Sequence, residues 1–115
     1  TDLAFVIFLR EQGYEILEKN YKCKIGEIDI IAKRKGRLAF IEVKTRSSPQ
    51  RGMPEEAVDR KKQEKLFKLA EWYLKEKKLG SVPRAFDVVA VLWDQKDTPE
   101  IRLIADAFER TDEVY

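Results

Sequence analysis

The rhythm of apolar and polar residues changes several times along the chain, and each change marks an element. Apolar residues dominate residues 3–12 (LAFVIFLREQ), with Asp2 placed as an N-cap and Gly13 where a left-handed residue ends a helix. The spacing predicts a buried helix. Residues 14–23 alternate loosely and carry Glu15, Glu18 and Lys19, the pattern of a strand near a sheet edge. Residues 25–32 and 38–45 are rich in Ile, Val and Phe, and the short segment between them contains Gly36, which makes the pair a β-hairpin.

Residues 47–54 (SSPQRGMP) read as a loop. Within residues 59–78, Leu66, Leu69, Ala70, Tyr73 and Leu74 recur at helical spacing against a flank of Lys61, Glu64, Lys65, Lys68, Glu71 and Lys75, and Gly80 ends this second helix. Lys62 stands on the inward stripe, one turn before Leu66. Residues 84–93 (RAFDVVAVLW) form a continuous apolar run bounded by Pro83 and Asp94, as expected of a central strand covered on both faces. Residues 100–108 predict a last strand or a strand plus turn, and residues 109–115 a tail. The order predicts an α/β domain whose mixed sheet is flanked by the two helices.

The hairpin breaks its own apolar pattern. Asp29 sits between Ile28 and Ile30, and Glu42 and Lys44 flank Val43. If the turn centres between Lys35 and Gly36, paired positions add to a constant, so Asp29 lies opposite Glu42 and Glu27 opposite Lys44. The period of two then places Glu27, Asp29, Glu42 and Lys44 on one face, with Ile28, Ile30, Ile41 and Val43 on the other.

Composition narrows the chemistry. With 115 residues the chain predicts one domain. Lys and Arg number 23 against 21 Asp and Glu, an excess too small to prove a polyanionic partner by itself. Cys23 is the single cysteine and there is no histidine, which excludes an internal disulfide and the usual Cys/His zinc site and suggests a cytoplasmic setting. The apolar run at residues 3–9 is too short to cross a membrane, so no membrane partner is expected.

Two carboxylates facing each other on adjacent strands repel unless a cation lies between them. Mg²⁺ (or Mn²⁺) suits such oxygens, with waters and a substrate phosphate completing its shell. Lys44, on the same face, could orient an attacking water and offset charge that builds on a phosphorane-like centre. The set fits metal-assisted phosphodiester hydrolysis. The same four residues also fit a solvated sheet face paired by weak cross-strand salt bridges.

At these residues the chain resembles a known family, the YraN-like proteins, which are grouped with the PD-(D/E)xK nuclease superfamily and are similar to archaeal Holliday junction resolvases. Leu9, Gly13 and Tyr14 fit the family's helix-ending pattern, and Asn20 and Tyr21 fit its Asn-Tyr pair. GEIDIIA at residues 26–32 and FIEVKTR at residues 40–46 look like its two signature strands, and AVDRKKQ, RAFDVVAV and ADAF also match. The resemblance implies a restriction-endonuclease-like fold, with Asp29, Glu42 and Lys44 in the places of the superfamily's acidic pair and lysine. Asp29, Glu42 and the backbone carbonyl of Val43 would then hold the metal. Family members usually carry Gly-Glu just ahead of the first helix, whereas this sequence has Thr1 there, followed by Asp2.

Other residues have supporting readings. Arg46 is placed to contact a phosphate, and Lys62 to point its ammonium into the same cleft or to pack its stem on the core. Glu27 would hold a second metal or pair with Lys44. Lys33, Arg34, Lys35 and Arg37 form the densest basic cluster and are either solvated or in contact with nucleic acid. Trp72, Tyr73 and Trp93 read as core, and Cys23 as buried or half-buried. The expected function is a Mg²⁺-dependent endonuclease acting on DNA, branched or damaged DNA included, with a homodimer plausible by analogy with the resolvases. The rivals are a non-catalytic nucleic-acid-binding or protein-interaction module that keeps the fold, and a purely structural domain.

Overall fold

The computed structural model describes residues 2–46, 58–92 and 100–109. Helix α1 (Asp2–Glu11) is followed by strands β1 (Glu15–Cys23), β2 (Gly26–Arg34) and β3 (Arg37–Arg46), then helix α2 (Arg60–Glu76) and strands β4 (Arg84–Leu92) and β5 (Glu100–Phe108). The five strands form one mixed sheet in sequential order, parallel between β3 and β4 and antiparallel elsewhere. The one parallel pair needs a crossover, and α2 lies within it. This is the expected α/β architecture, consistent with a restriction-endonuclease-like fold. The expected loop at residues 47–54, Trp93 and nearly all of the tail fall outside the described residues.

Turn chemistry sets the hairpin register. Lys35 and Gly36 both take positive φ, 52° and 75°, which makes a two-residue loop whose twist matches that of the flanking strands. Arg34 therefore pairs with Arg37, and the ladder runs on through Ala32–Ala39 to Ile30–Ile41, each pair adding to the predicted constant. Helix α2 begins at Asp59, whose side chain accepts from the Lys62 N–H at 2.8 Å. Such a cap is worth about 1 kcal/mol.

The sheet separates two apolar clusters. On the α2 face, Ile28, Ile31, Phe40 and Phe86 meet Leu66, Phe67, Leu69, Ala70 and Tyr73. Phe86 packs edge-on to Phe67 at 4.9 Å and stacks with Phe40 and Phe108 at 5.7 and 5.5 Å. On the α1 face, Leu9 and Tyr14 pack with Ile30, Ala39, Ile41 and Val89. Eight of the nine β4 residues are buried, as the unbroken apolar run predicts.

Two expectations need correction. Helix α1 is not buried throughout: Val6 and Leu9 face inward, but Leu3 and Ile7 are exposed. A single helix can press only one stripe against a sheet. Trp72 is exposed rather than core, because the inward stripe of α2 passes through positions 69–70 and 73–74 and leaves position 72 on the flank. Tyr73 is buried and Cys23 half-buried, as expected. No helix among the described residues is long and apolar enough to cross a membrane.

Candidate active site

The hairpin ladder stops where the charges begin. In a two-residue hairpin, alternate pairs exchange both backbone hydrogen bonds, so the series 34/37, 32/39, 30/41 would continue to Ile28 and Val43. The observed ladder ends at Ile30–Ile41. Beyond it the Val43 N–H donates instead to Asp29 Oδ2, at 2.8 Å. The Asp29 carboxylate thus takes the place of a missing ladder carbonyl.

The break extends to the edge strand. β1 and β2 pair at Lys19–Ile30 and at Tyr21–Ile28 but not between, where Asn20 adopts φ of 52°. Ile30 packs toward α1, yet Ile28 packs toward α2. The expected apolar face of Ile28, Ile30, Ile41 and Val43 is therefore split by this turn in the backbone. The expected oppositions of Asp29 to Glu42 and of Glu27 to Lys44 also fail, since both pairs lie beyond the end of the hairpin ladder, and Glu27 is exposed and across from Lys22 of β1. Among the described residues Glu27 takes part in no ion pair.

Glu42 shares the α2 face with Phe40 and is almost fully buried, its residue only 6% exposed. Two ammonium groups compensate it there. Lys44 Nζ lies 3.3 Å from Glu42 Oε2, and Lys62 Nζ reaches the same oxygen at 3.7 Å. Lys62 is delivered from the first turn of α2, which the Asp59 cap fixes. The ammonium of Lys62 thus reaches the site, the first of its two sequence readings.

Burial holds the Asp29 carboxyl above its ordinary pKa. The Val43 N–H opposes this, the Glu42 charge adds to it, and Lys62 and Lys44 oppose it again. Asp29 and Glu42 therefore feel each other's charge across the parted strands. Lys44 and Lys62 meet Glu42 on the α2 face, whereas Asp29 lines the α1 side within range of their charges, so the charges expected on one face are divided across the sheet. The side chains of Asp2 and Arg46 lie outside those described. Among the described residues no three His, Cys, Asp or Glu side chains are grouped to hold a metal ion.

The basic hairpin tip is built differently. Arg34 lies 4.8 Å over the Tyr14 ring and donates to the Tyr14 hydroxyl at 2.8 Å. That hydroxyl donates to Asp87, which is 3% exposed and also accepts from the Asp106 N–H at 2.8 Å. Arg37 pairs with Asp106 at 2.6 Å. Sequence reading missed Asp87; its one signal was an acid inside the apolar run of β4. It likewise left Lys19 and Asn20 without a role, although an Asn in mid-strand is a poor strand former that tolerates left-handed backbone.

Residues 3–91 match the model of a family described as Uncharacterised protein family UPF0102. The chain belongs to this family. A UPF0102 protein of Lachnoclostridium phytofermentans is 47% identical over 89% of this chain and 83% of its own length. One from Caldicellulosiruptor saccharolyticus is 44% identical over 90% of this chain and 88% of its own length. One from Syntrophus aciditrophicus is 47% identical over 89% and 80%. The matched UPF0102 span includes β2, β3, Lys62 and β4 through Val91, so Asp29, Glu42, Lys44 and Lys62 all fall inside it.

Proposed function

We propose that this UPF0102 protein is a Mg²⁺- or Mn²⁺-dependent endonuclease of the PD-(D/E)xK type that hydrolyses phosphodiester bonds in DNA. The observation that carries this reading is that, where β2 and β3 part, Asp29 is held by the Val43 N–H within range of the charges of Glu42 and of the two ammonium groups paired with it. The chemistry of the oxygens fits the cation. Asp29, Glu42 and the Val43 carbonyl are hard donors, and the raised Asp29 pKa marks a place where added positive charge would be stabilising.

When bound, the cation supplies positive charge against the phosphate oxygens. The protein's own groups do the rest. The Val43 N–H holds Asp29 at one oxygen, which fixes the direction of the carboxylate. Lys44, pinned by Glu42, is placed to orient the attacking water and to stabilise charge that develops on phosphorus in the transition state. Lys62 offers a second ammonium for the phosphate and Arg46, at the end of β3, a guanidinium. DNA as substrate and cytoplasmic residence belong to the same proposal, as does pairing of two chains where both strands of a duplex are to be cut.

Incubation with branched, nicked and single-stranded DNA in Mg²⁺ or Mn²⁺ tests the reading. Cleavage that Lys44→Ala removes is the expected result. Absence of cleavage on every substrate and in both metals would overturn it. A second reading, a DNA-binding module that kept the fold, is favoured by the absence of a third acidic ligand among the described residues. It predicts affinity that falls steeply with salt and ignores divalent metal.

A further inference from the structure

The parted end of the hairpin has a feature that hydrolysis leaves unused. On the α1 side of the sheet a cavity of about 310 Å³ is lined by Phe5, Lys19, Asn20, Asp29, Ile30 and Val43. Its size lies at the lower end of pockets that enclose a small organic ligand. The cavity follows from the break in the ladder. Asn20 and Asp29 would face each other across β1 and β2, but the left-handed turn at Asn20 interrupts the pairing, and both residues line the cavity.

The walls select a ligand. Ile30 and Val43 belong to the apolar cluster under α1, and the half-buried Phe5 adds an aromatic ring. Lys19 and Asp29 bring one charge of each sign, so the cavity has no net charge to hold a phosphate dianion. Asn20 brings an amide that both donates and accepts. A flat neutral group with apolar faces and a hydrogen-bonding edge fits these walls, and in DNA that group is a base.

Asp29 belongs to the cavity and to the candidate active site at once. Glu42, Lys44 and Lys62 meet on the other face of the sheet. We propose that the cavity receives the base of a nucleotide adjoining the phosphodiester held at Asp29, and that the protein therefore prefers DNA in which this nucleotide is unpaired. The proposal rests on the nuclease reading above. Phe5 stacks on the base, Asn20 bonds its edge, and Lys19 meets the backbone at the rim. A base stacked in a duplex cannot reach such a pocket without leaving the stack, which costs least where it is already unpaired.

The test reads binding rather than turnover. In metal-free buffer, fluorescence anisotropy compares a labelled duplex with the same duplex carrying a single unpaired nucleotide. The bulged DNA is expected to bind about tenfold more tightly. Asn20→Gly keeps the left-handed backbone and removes only the amide, and Phe5→Leu keeps an apolar residue under α1. Each is expected to erase the preference and leave duplex affinity unchanged, with circular dichroism checking the fold. Equal affinity for the two DNAs, or a preference that survives both substitutions, would overturn the pocket even where Lys44-dependent cleavage persists. Binding to neither DNA would also overturn the pocket, whereas the nuclease reading stands or falls on Lys44-dependent cleavage in Mg²⁺ or Mn²⁺.

Discussion

The two ends of the β2–β3 hairpin carry similar charges and use them in opposite ways. At the turn, Arg34, Arg37, Asp87 and Asp106 are joined through Tyr14 and a backbone N–H into one network that ties the hairpin to β4 and β5. About 17 Å away along β2, the strands part. There Asp29 occupies the place of a ladder acceptor and Glu42 holds two ammonium groups from different elements. The pKa directions differ accordingly. Arg37 holds Asp106 below its ordinary pKa, whereas burial and the Glu42 charge hold Asp29 above it. The turn end uses its charge to stabilise the fold; the parted end keeps a carboxylate in a form the fold disfavours, as sites prepared for a cation or substrate do.

Substitutions should separate the two ends. The largest effect expected is on activity: Lys44→Ala lowers the DNA cleavage rate at least about 100-fold, while urea denaturation detects a smaller loss than Asp87→Ala gives, because Lys62 remains to compensate the buried Glu42 carboxylate. Asp87→Ala should do the reverse. It leaves the Tyr14 hydroxyl and the Asp106 N–H without their acceptor, and chemical denaturation should show a loss of about 3 kcal/mol, with kcat preserved below the variant's melting temperature.

Asp29→Asn should give a smaller change of opposite sign. Because the folded pKa is raised from 3.8, the ionised carboxylate costs stability, and that cost builds as pH rises above 3.8 and is full once pH passes the raised value. The amide still accepts from Val43. In metal-free buffer the variant should match the wild type in acid and exceed it at neutral pH, although it should not cleave DNA. Denaturation midpoints across pH check this.

The smallest effect is expected at Asp106. Its pKa is lowered by Arg37, so its contribution is present above 3.8 and lost as pH falls through the lowered value. Both partners are substantially exposed, and Asp106→Asn should therefore cost under about 1 kcal/mol near neutral pH. A larger loss there than at Asp87 would undo the contrast between the surface pair and the buried network.

How much of this was legible in the chain depends on how local the cause is. The hairpin register could be read from Lys35-Gly36 and two β-branched runs, because turn type and side-chain period are short-range properties. Helix α2 and the inward position of Lys62 followed from a period of 3.6 over many residues, whereas its Asp59 cap emerged only in the structure. The same logic failed at Trp72 and along α1, where composition said apolar but only packing could decide which side met the sheet. Glu27 failed for another reason: pairing arithmetic assumes an unbroken ladder.

The sequence by itself determined the elements, their order along the chain and the two acids that share a pair of strands, since these rest on local pattern and turn chemistry. Tertiary structure decided what the acids do. One left-handed residue at Asn20 breaks the pairing beside Asp29, the strands part, and a lysine from α2 arrives at Glu42. Such an interruption costs little in a local pattern, yet it changes which face each later side chain reaches, and only the packed molecule fixes where those faces meet.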